Sequence, residues 1–135
     1  MTDALAYFSA KLTHETDASD VYGAQRDGSA DFVLVDVRDD AAWAQGHAVG
    51  AVHLPRRDVA SRARTELGDV DVVVYCWSPG CNGGAKAAVE FAQLGYRVRE
   101  MIGGFEYWAR EGYPIENARG PLPRHHDPLV ALVRT

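Results

Sequence analysis

The chain has 135 residues, 47% of them apolar, with a formal net charge of −5 and a sequence pI near 5.4. That length and apolar content suit one compact domain with its own core, and need no disulfide or metal staple. The acidic balance, with no basic stripe, argues against nucleic acid as a partner, and no apolar run is long enough to cross a bilayer. The first residues, Met1-Thr2-Asp3-Ala4, lack the basic and apolar blocks of a secretory leader, so a cytoplasmic protein is expected.

Leu5, Phe8 and Leu12 recur at helical spacing and predict an N-terminal amphipathic helix. Asp17 or Ser19 is placed to cap a short second helix through Val21, Tyr22 and Ala24, broken by Asp27-Gly28-Ser29. Phe32 to Asp36 is a β-branched, apolar run that reads as a buried strand. Asp39-Asp40 opens a helical turn through Trp43, which Gly46 ends. Ala51 to Leu54 is a second strand, closed by Pro55, and Asp58 to Leu67 a helix stopped by Gly68. Val72 to Tyr75 is the third strand. A helix from Ala85 to about Leu94 follows, with Gly95 as its C-terminal stop. Tyr96 to Ile102 is the fourth strand, and Gly103-Gly104 leads into a last helix, Phe105 to Arg110.

Strands alternating with helices define an α/β fold, a central parallel sheet of about five strands covered by helices on both faces. One short edge strand has no clear place in the sequence. The expected organisation is an N-terminal helix packing on the domain (1–16), the domain itself (17–116) and a proline-containing, extended tail (117–135).

Both cysteines lie in one segment, Cys76-Trp77-Ser78-Pro79-Gly80-Cys81-Asn82-Gly83-Gly84, between the third strand and the following helix. Backbone N–H groups of such a loop, and the positive end of the helix, favour a thiolate over a thiol. The same arrangement makes a concavity for an anion. Gly80, Gly83 and Gly84 are expected to take the positive φ angles that a nest of amides needs. A structural disulfide framework is not expected from two cysteines in one loop; reactive thiol chemistry in a reducing compartment is.

Three stretches together resemble the rhodanese-like family. They are Leu34-Val35-Asp36-Val37-Arg38 with Trp43 to His47 and Gly50 to Pro55, then Val73-Val74-Tyr75-Cys76, then Gly103-Gly104-Phe105-Glu106-Tyr107-Trp108. The resemblance covers roughly residues 17 to 116. It implies a sulfurtransferase in which Cys76 takes sulfane sulfur from a small donor such as thiosulfate. The persulfide then passes its outer sulfur to cyanide or a thiol, including a thiol-bearing protein. No cofactor or metal is implied. The amides of Trp77 through Gly84 would cradle the bound anion. Asp36, Arg38 and His47 fall where the family braces the loops behind its site, so they are assigned structural support rather than catalysis.

The departures from the pattern carry as much information. The loop is about two residues longer than in many catalytic rhodaneses and contains no Lys or Arg. That absence costs an anionic donor a charge-assisted contact of roughly 1.5–3 kcal/mol, unless Arg56 or Arg57 supplies charge from elsewhere, and it keeps open two alternatives: a non-enzymatic rhodanese-like binding or sensing module, or a redox-active Cys76–Cys81 pair. It also separates the chain from rhodanese-fold phosphatases, whose cysteine loop ends in an arginine that grips phosphate. Ala42 replaces the acidic residue common before the aromatic, and the segment from Gly46 to Ala51 keeps its Gly-His start and Gly-Ala end.

Cys81 is open to two readings. It is either a second thiol acting on Cys76, as a resolving group or sulfur carrier, or a small residue whose side chain points away. The second is the simpler and is favoured by sequence alone. Trp77 is either an apolar lip for a partner or a side chain packed on the neighbouring helix. His125-His126-Asp127 reads as solvated tail rather than a metal site.

Overall fold

The computed structural model describes residues 2–132; the last three tail residues fall outside that range. In chain order the elements are α1 (Asp3–His14), β1 (Glu15–Asp17), α2 (Ala18–Asp27), β2 (Val33–Asp36), α3 (Asp40–Gln45), β3 (His47–Ala48) and β4 (Val52–His53). After a 3-10 turn at Arg56–Asp58 come α4 (Val59–Leu67), β5 (Val72–Tyr75), α5 (Gly83–Gln93), β6 (Val98–Ile102), α6 (Gly104–Arg110), β7 (Ile115–Asn117) and β8 (Gly120–Pro121).

Five strands form a wholly parallel sheet in the order β1-β6-β5-β2-β4. Its centre is β5, where Val72, Val73, Val74 and Tyr75 are all buried. Alternate side chains of a strand point to opposite faces, and each face has its own core. Val35, Val72 and Val74 pack with Leu54, Val59, Ala63 and Phe91 under α4 and α5. Leu34, Val73 and Tyr75 pack with Val21, Met101 and Trp108 under α2 and α6. Each such large side chain contributes about 1.5–3 kcal/mol by leaving water. All four β5 side chains are committed to these two cores, so the strand is rigid up to its last residue, and the next residue is Cys76.

The unplaced edge strand is β1, Glu15–Asp17, which pairs with β6 in register Glu15 to Glu100 and Asp17 to Ile102. Its last residue also caps α2, with the Asp20 N–H donating to Asp17 Oδ1 at 2.9 Å. Gly28, at φ 72, ends α2, and Gly95, at φ 91, follows α5, as the sequence predicts.

Two expectations need correction. Helix α1 forms, capped by Thr2, but buries none of its residues; Leu5, Phe8 and Leu12 remain exposed. Its apolar spacing produces a helix whose main contacts with the sheet run along β6 and β1. The segment read as an extended tail begins with a hairpin. Strand β7 pairs antiparallel with both β3 and β8, a small second sheet beside the first. Farther on, Arg124 Nε donates to the Gly112 carbonyl, and Asp127 pairs with Arg110. The tail therefore folds back on the end of α6. No helix among the described residues is long and apolar enough to cross a membrane.

Candidate active site

The C-terminal ends of parallel strands are where an α/β fold leaves room for a ligand, and Cys76 leaves β5 at that edge. It opens on a cavity of about 520 Å³ lined also by Ser78, Pro79, Cys81, Glu100, Gly103 and Tyr107.

The loop is folded by a turn. The Cys81 N–H donates to the Ser78 carbonyl at 3.0 Å, with Pro79 and Gly80 at the corner. Proline at the second position of such a turn has its φ already set. The turn returns Cys81 to Cys76, and the two sulfurs lie 2.7 Å apart as free thiols in hydrogen-bond contact. The favoured sequence reading, a Cys81 side chain pointing away, is overturned.

The glycines serve close approach rather than φ. Gly80, Gly83 and Gly84 all lack positive φ, contrary to expectation. A Cβ on Gly83 would stand 2.8 Å from Cys76 Sγ and 3.4 Å from Cys81 Sγ, and one on Gly84 would stand 2.9 Å from Glu100 Oε2. The amides also converge differently from the expected cradle: the Gly83 N–H donates to Cys81 Sγ at 3.4 Å, not to Cys76.

The electrostatics follow this geometry. Burial, then donation of its proton to Cys81, pushes the Cys76 thiol up to about 12. Burial opposes ionisation of Cys81, but the Cys76 S–H and the Gly83 and Trp77 amides outweigh it and bring that thiol below its ordinary value. Of the two, Cys81 is therefore the sulfur that ionises first, and its thiolate is held by the Cys76 S–H across the contact.

The rest of the cavity is acidic. Glu15, Asp17, Glu100 and Glu111 line it, and its one lysine, Lys11, is paired with Glu15 at 2.7 Å. Burial, with the Glu15 charge, raises the Glu100 carboxyl above its usual range; burial and Asp17 do the same for Glu111. Glu100 was not singled out in the sequence. Its signal was an acid near the C-terminal end of a sheet strand.

Arg56 and Arg57 do not bring charge to this cavity. Arg56 pairs with Glu90, and Arg57 with Asp40 and Asp58, all outside the lining. Asp36 and Arg38 sit behind the loop, almost fully buried. The Arg38 guanidinium bonds both Asp36 oxygens and the Gly46 carbonyl, and Tyr75 Oη donates to Asp36 at 2.6 Å. The same guanidinium lies 4.4 Å from the ring centres of both Trp77 and Phe105. Its Nη1 has no hydrogen-bond acceptor among the described residues, so the ring faces provide its remaining attraction. Trp77 therefore packs on Arg38 and Phe105 while staying 41% exposed, both a packed side chain and a rim.

His47 stacks on Trp43 at 3.3 Å and hydrogen-bonds the Trp43 carbonyl, which ties α3 to β3 away from the cavity lining. His126 hydrogen-bonds the Ala131 carbonyl. Among the described residues no three His, Cys, Asp or Glu side chains stand together as a metal site.

From behind, α6 pins the loop. Its Phe105 and Glu106 N–H groups donate to the Cys76 and Trp77 carbonyls at 2.9 and 2.8 Å. Gly104, at φ +64, permits this contact: a Cβ there would stand 2.7 Å from the Cys76 carbonyl oxygen and 2.9 Å from the Trp77 carbonyl carbon.

A cysteine loop leaving the central strand of such a sheet, backed by a Gly-Gly-aromatic helix, defines the class: the chain belongs to the rhodanese-like domain family, whose model matches residues 17–111. A thiosulfate sulfurtransferase, GlpE of Pseudomonas entomophila, is 39% identical over 89 residues, covering 65% of this chain and 79% of that protein. The crystal structure of the BH2092 protein from Bacillus halodurans superposes with a TM-score of 0.81 at 38% identity, covering 87% of each chain. A rhodanese from E. coli, solved with anions, matches at a TM-score of 0.54 and 26% identity, over 64% of this chain and 99% of its own.

Proposed function

We propose that the chain is a sulfurtransferase that carries sulfane sulfur as a persulfide on Cys76. The observation that carries this reading is the position of the Cys76 sulfur, at the end of the buried β5, open to a cavity and in contact with a second thiol. Kinship to a thiosulfate sulfurtransferase supports the reaction class.

As Cys76 attacks a donor's outer sulfur, its proton passes to the Cys81 thiolate across the 2.7 Å contact. Cys81 thus does as a base what a loop arginine or lysine would do as a charge. The S–S bond of the donor breaks, its leaving group departs with the bonding pair, and Cys76 holds the sulfur. A thiol or cyanide then removes it.

The acidic lining favours donors of low negative charge. A neutral or zwitterionic persulfide suits it better than the thiosulfate dianion, and a thiol-bearing protein suits it as acceptor. Two free cysteines fit a reducing compartment such as the cytoplasm. Nothing in the net charge of −5 favours nucleic acid or an anionic membrane as partner.

Intact mass after incubation with thiosulfate and, separately, with a persulfide donor tests the proposal. Sulfur capture that depends on Cys76 is expected, faster from the persulfide, and Cys76→Ser abolishes it. No capture from either donor, in wild type or in a Cys81→Ser variant, would overturn it.

A further inference from the structure

Sulfur carriage alone does not require a second cysteine. One thiol can accept and release sulfane sulfur, yet the loop is built to hold two sulfurs together. The turn from Ser78 to Cys81 brings the second back, and only a hydrogen at Gly83 leaves room for both. The Gly83 N–H is aimed at Cys81, the sulfur that does not itself carry the transferred atom in the proposed step. The contact is also specific in its target: Cys81 Sγ rests on Cys76 Sγ itself, the atom that becomes the inner sulfur of the persulfide.

The surroundings work against storing a persulfide. A Cys76 persulfide is an anion at neutral pH, and no loop Lys or Arg is present to hold it. It would face Glu100, Glu15 and Glu111 across the cavity, with Lys11 already paired. Hydrosulfide meets the same carboxylates but is untethered, so the repulsion drives it out of the cavity instead of burdening the loop.

We propose that Cys81 is a resolving thiol: it attacks the inner sulfur of the Cys76 persulfide, expels sulfide and closes a Cys76–Cys81 disulfide. This rests on the persulfide reading above. The step balances as Cys76–S–S⁻ plus Cys81–SH, which holds the proton taken from Cys76, giving Cys76–S–S–Cys81 plus HS⁻. The bond between the Cys76 sulfur and the outer sulfur breaks as the bond between the two cysteine sulfurs forms. The outer sulfur is reduced to sulfide and leaves with the bonding pair and the Cys81 proton, while the two cysteines supply the electrons. A dithiol reductant then returns the pair to its thiols by exchange. The protein is thereby a reductase of sulfane sulfur, and its second substrate is a dithiol.

The experiment uses the full chain, reduced, freed of reductant and kept without oxygen, then given one equivalent of glutathione persulfide. Intact mass and peptide mapping are followed with time for wild type, Cys81→Ser and Cys81→Ala, each first checked for a native melting transition. Wild type is expected to end two hydrogens lighter, with Cys76 and Cys81 linked, and to release sulfide. Both Cys81 variants, lacking the base, are expected to load more slowly but to end one sulfur heavier at Cys76, with a persulfide surviving on the order of 10-fold longer or more, because the intramolecular attack is gone. A wild-type persulfide as durable as those of the variants would overturn the resolving role while leaving sulfur carriage intact. A wild-type disulfide formed without an equivalent of released sulfide would also overturn it, since that disulfide would not come from a persulfide. Absence of both products in all three proteins would remove the underlying reading.

Discussion

Gly104→Ala is the sharpest test of how the reactive loop is held. The substitution places an L side chain at φ +64, where the backbone itself costs about 1–2 kcal/mol. Its Cβ would meet the Cys76 carbonyl oxygen at 2.7 Å, the Trp77 carbonyl carbon at 2.9 Å and the Ser78 nitrogen at 3.0 Å. These are backbone atoms that no rotamer change can move. Either the crowding remains, at about 1–3 kcal/mol, or α6 backs away and loses two loop hydrogen bonds, at about 1 kcal/mol each. The two are alternatives rather than additive, so the total is about 2–5 kcal/mol, a large part of the 5–15 kcal/mol typical of a domain. Urea unfolding with an unchanged m-value reads this directly. Gly23→Ala is the matched control: it lies within α2, without positive φ and with nothing within 4 Å. It should be neutral or more stable by up to about 1 kcal/mol. Sulfur capture by Gly104→Ala should fall well beyond what its folded fraction explains, because Cys76 moves with its carbonyl. A loss of less than about 1 kcal/mol would refute the view that α6 and the loop are fitted this closely.

Gly83→Ala separates site from fold: alanine suits a helix start better than glycine, yet its Cβ strikes Cys76 Sγ, so near-native stability with lost contact between the sulfurs is expected. Peptide mapping after mild oxidation should find far less Cys76–Cys81 disulfide than in wild type. Thiolate absorbance against pH should show one proton leaving the wild-type pair below the ordinary cysteine range and the second held to about 12. In Cys76→Ala the Cys81 thiolate loses a hydrogen-bond donor, so its ionisation should move up. Glu100→Gln removes a cavity charge and should lower KM for thiosulfate roughly 5-fold, about 1 kcal/mol after screening, with less effect on a zwitterionic persulfide. Arg38→Ala leaves Asp36 as a buried carboxylate without its cation and should cost about 3–5 kcal/mol in the same unfolding assay.

The central strands and Cys76 were legible because long-range packing there agrees with local pattern. Val72 to Tyr75 is apolar on both sides because helices cover both faces, and Gly95 and Gly28 stop helices for reasons internal to the backbone. What escaped the sequence depends on partners far along the chain. Strand β1 is Glu-Thr-Asp, with no apolar signal, and exists because β6 offers it an edge. Strand β7 is recognisable only beside His47 and Ala48. The direction of Cys81 is set by one turn hydrogen bond, and the sign of the cavity by four carboxylates gathered from three elements or their ends. Arg56 and Arg57 appeared well placed only because their acidic partners, Glu90 and Asp40, lie elsewhere in the sequence.

The grip of α6 on the loop has a consequence for the direction of charge. A trans peptide is flat, with its carbonyl and N–H pointing opposite ways. The Cys76 carbonyl is committed to α6, so the N–H of the same peptide, on Trp77, is turned toward the sulfurs, where it acts on both. The next peptide is held the same way by Glu106. Polarity at the reactive loop is thus written from the far side, by a helix that begins nearly thirty positions later in the chain. Negative charge can pass from one sulfur to the other without the Trp77 or Ser78 N–H having to turn, because turning either would break the bond of its peptide's carbonyl to α6.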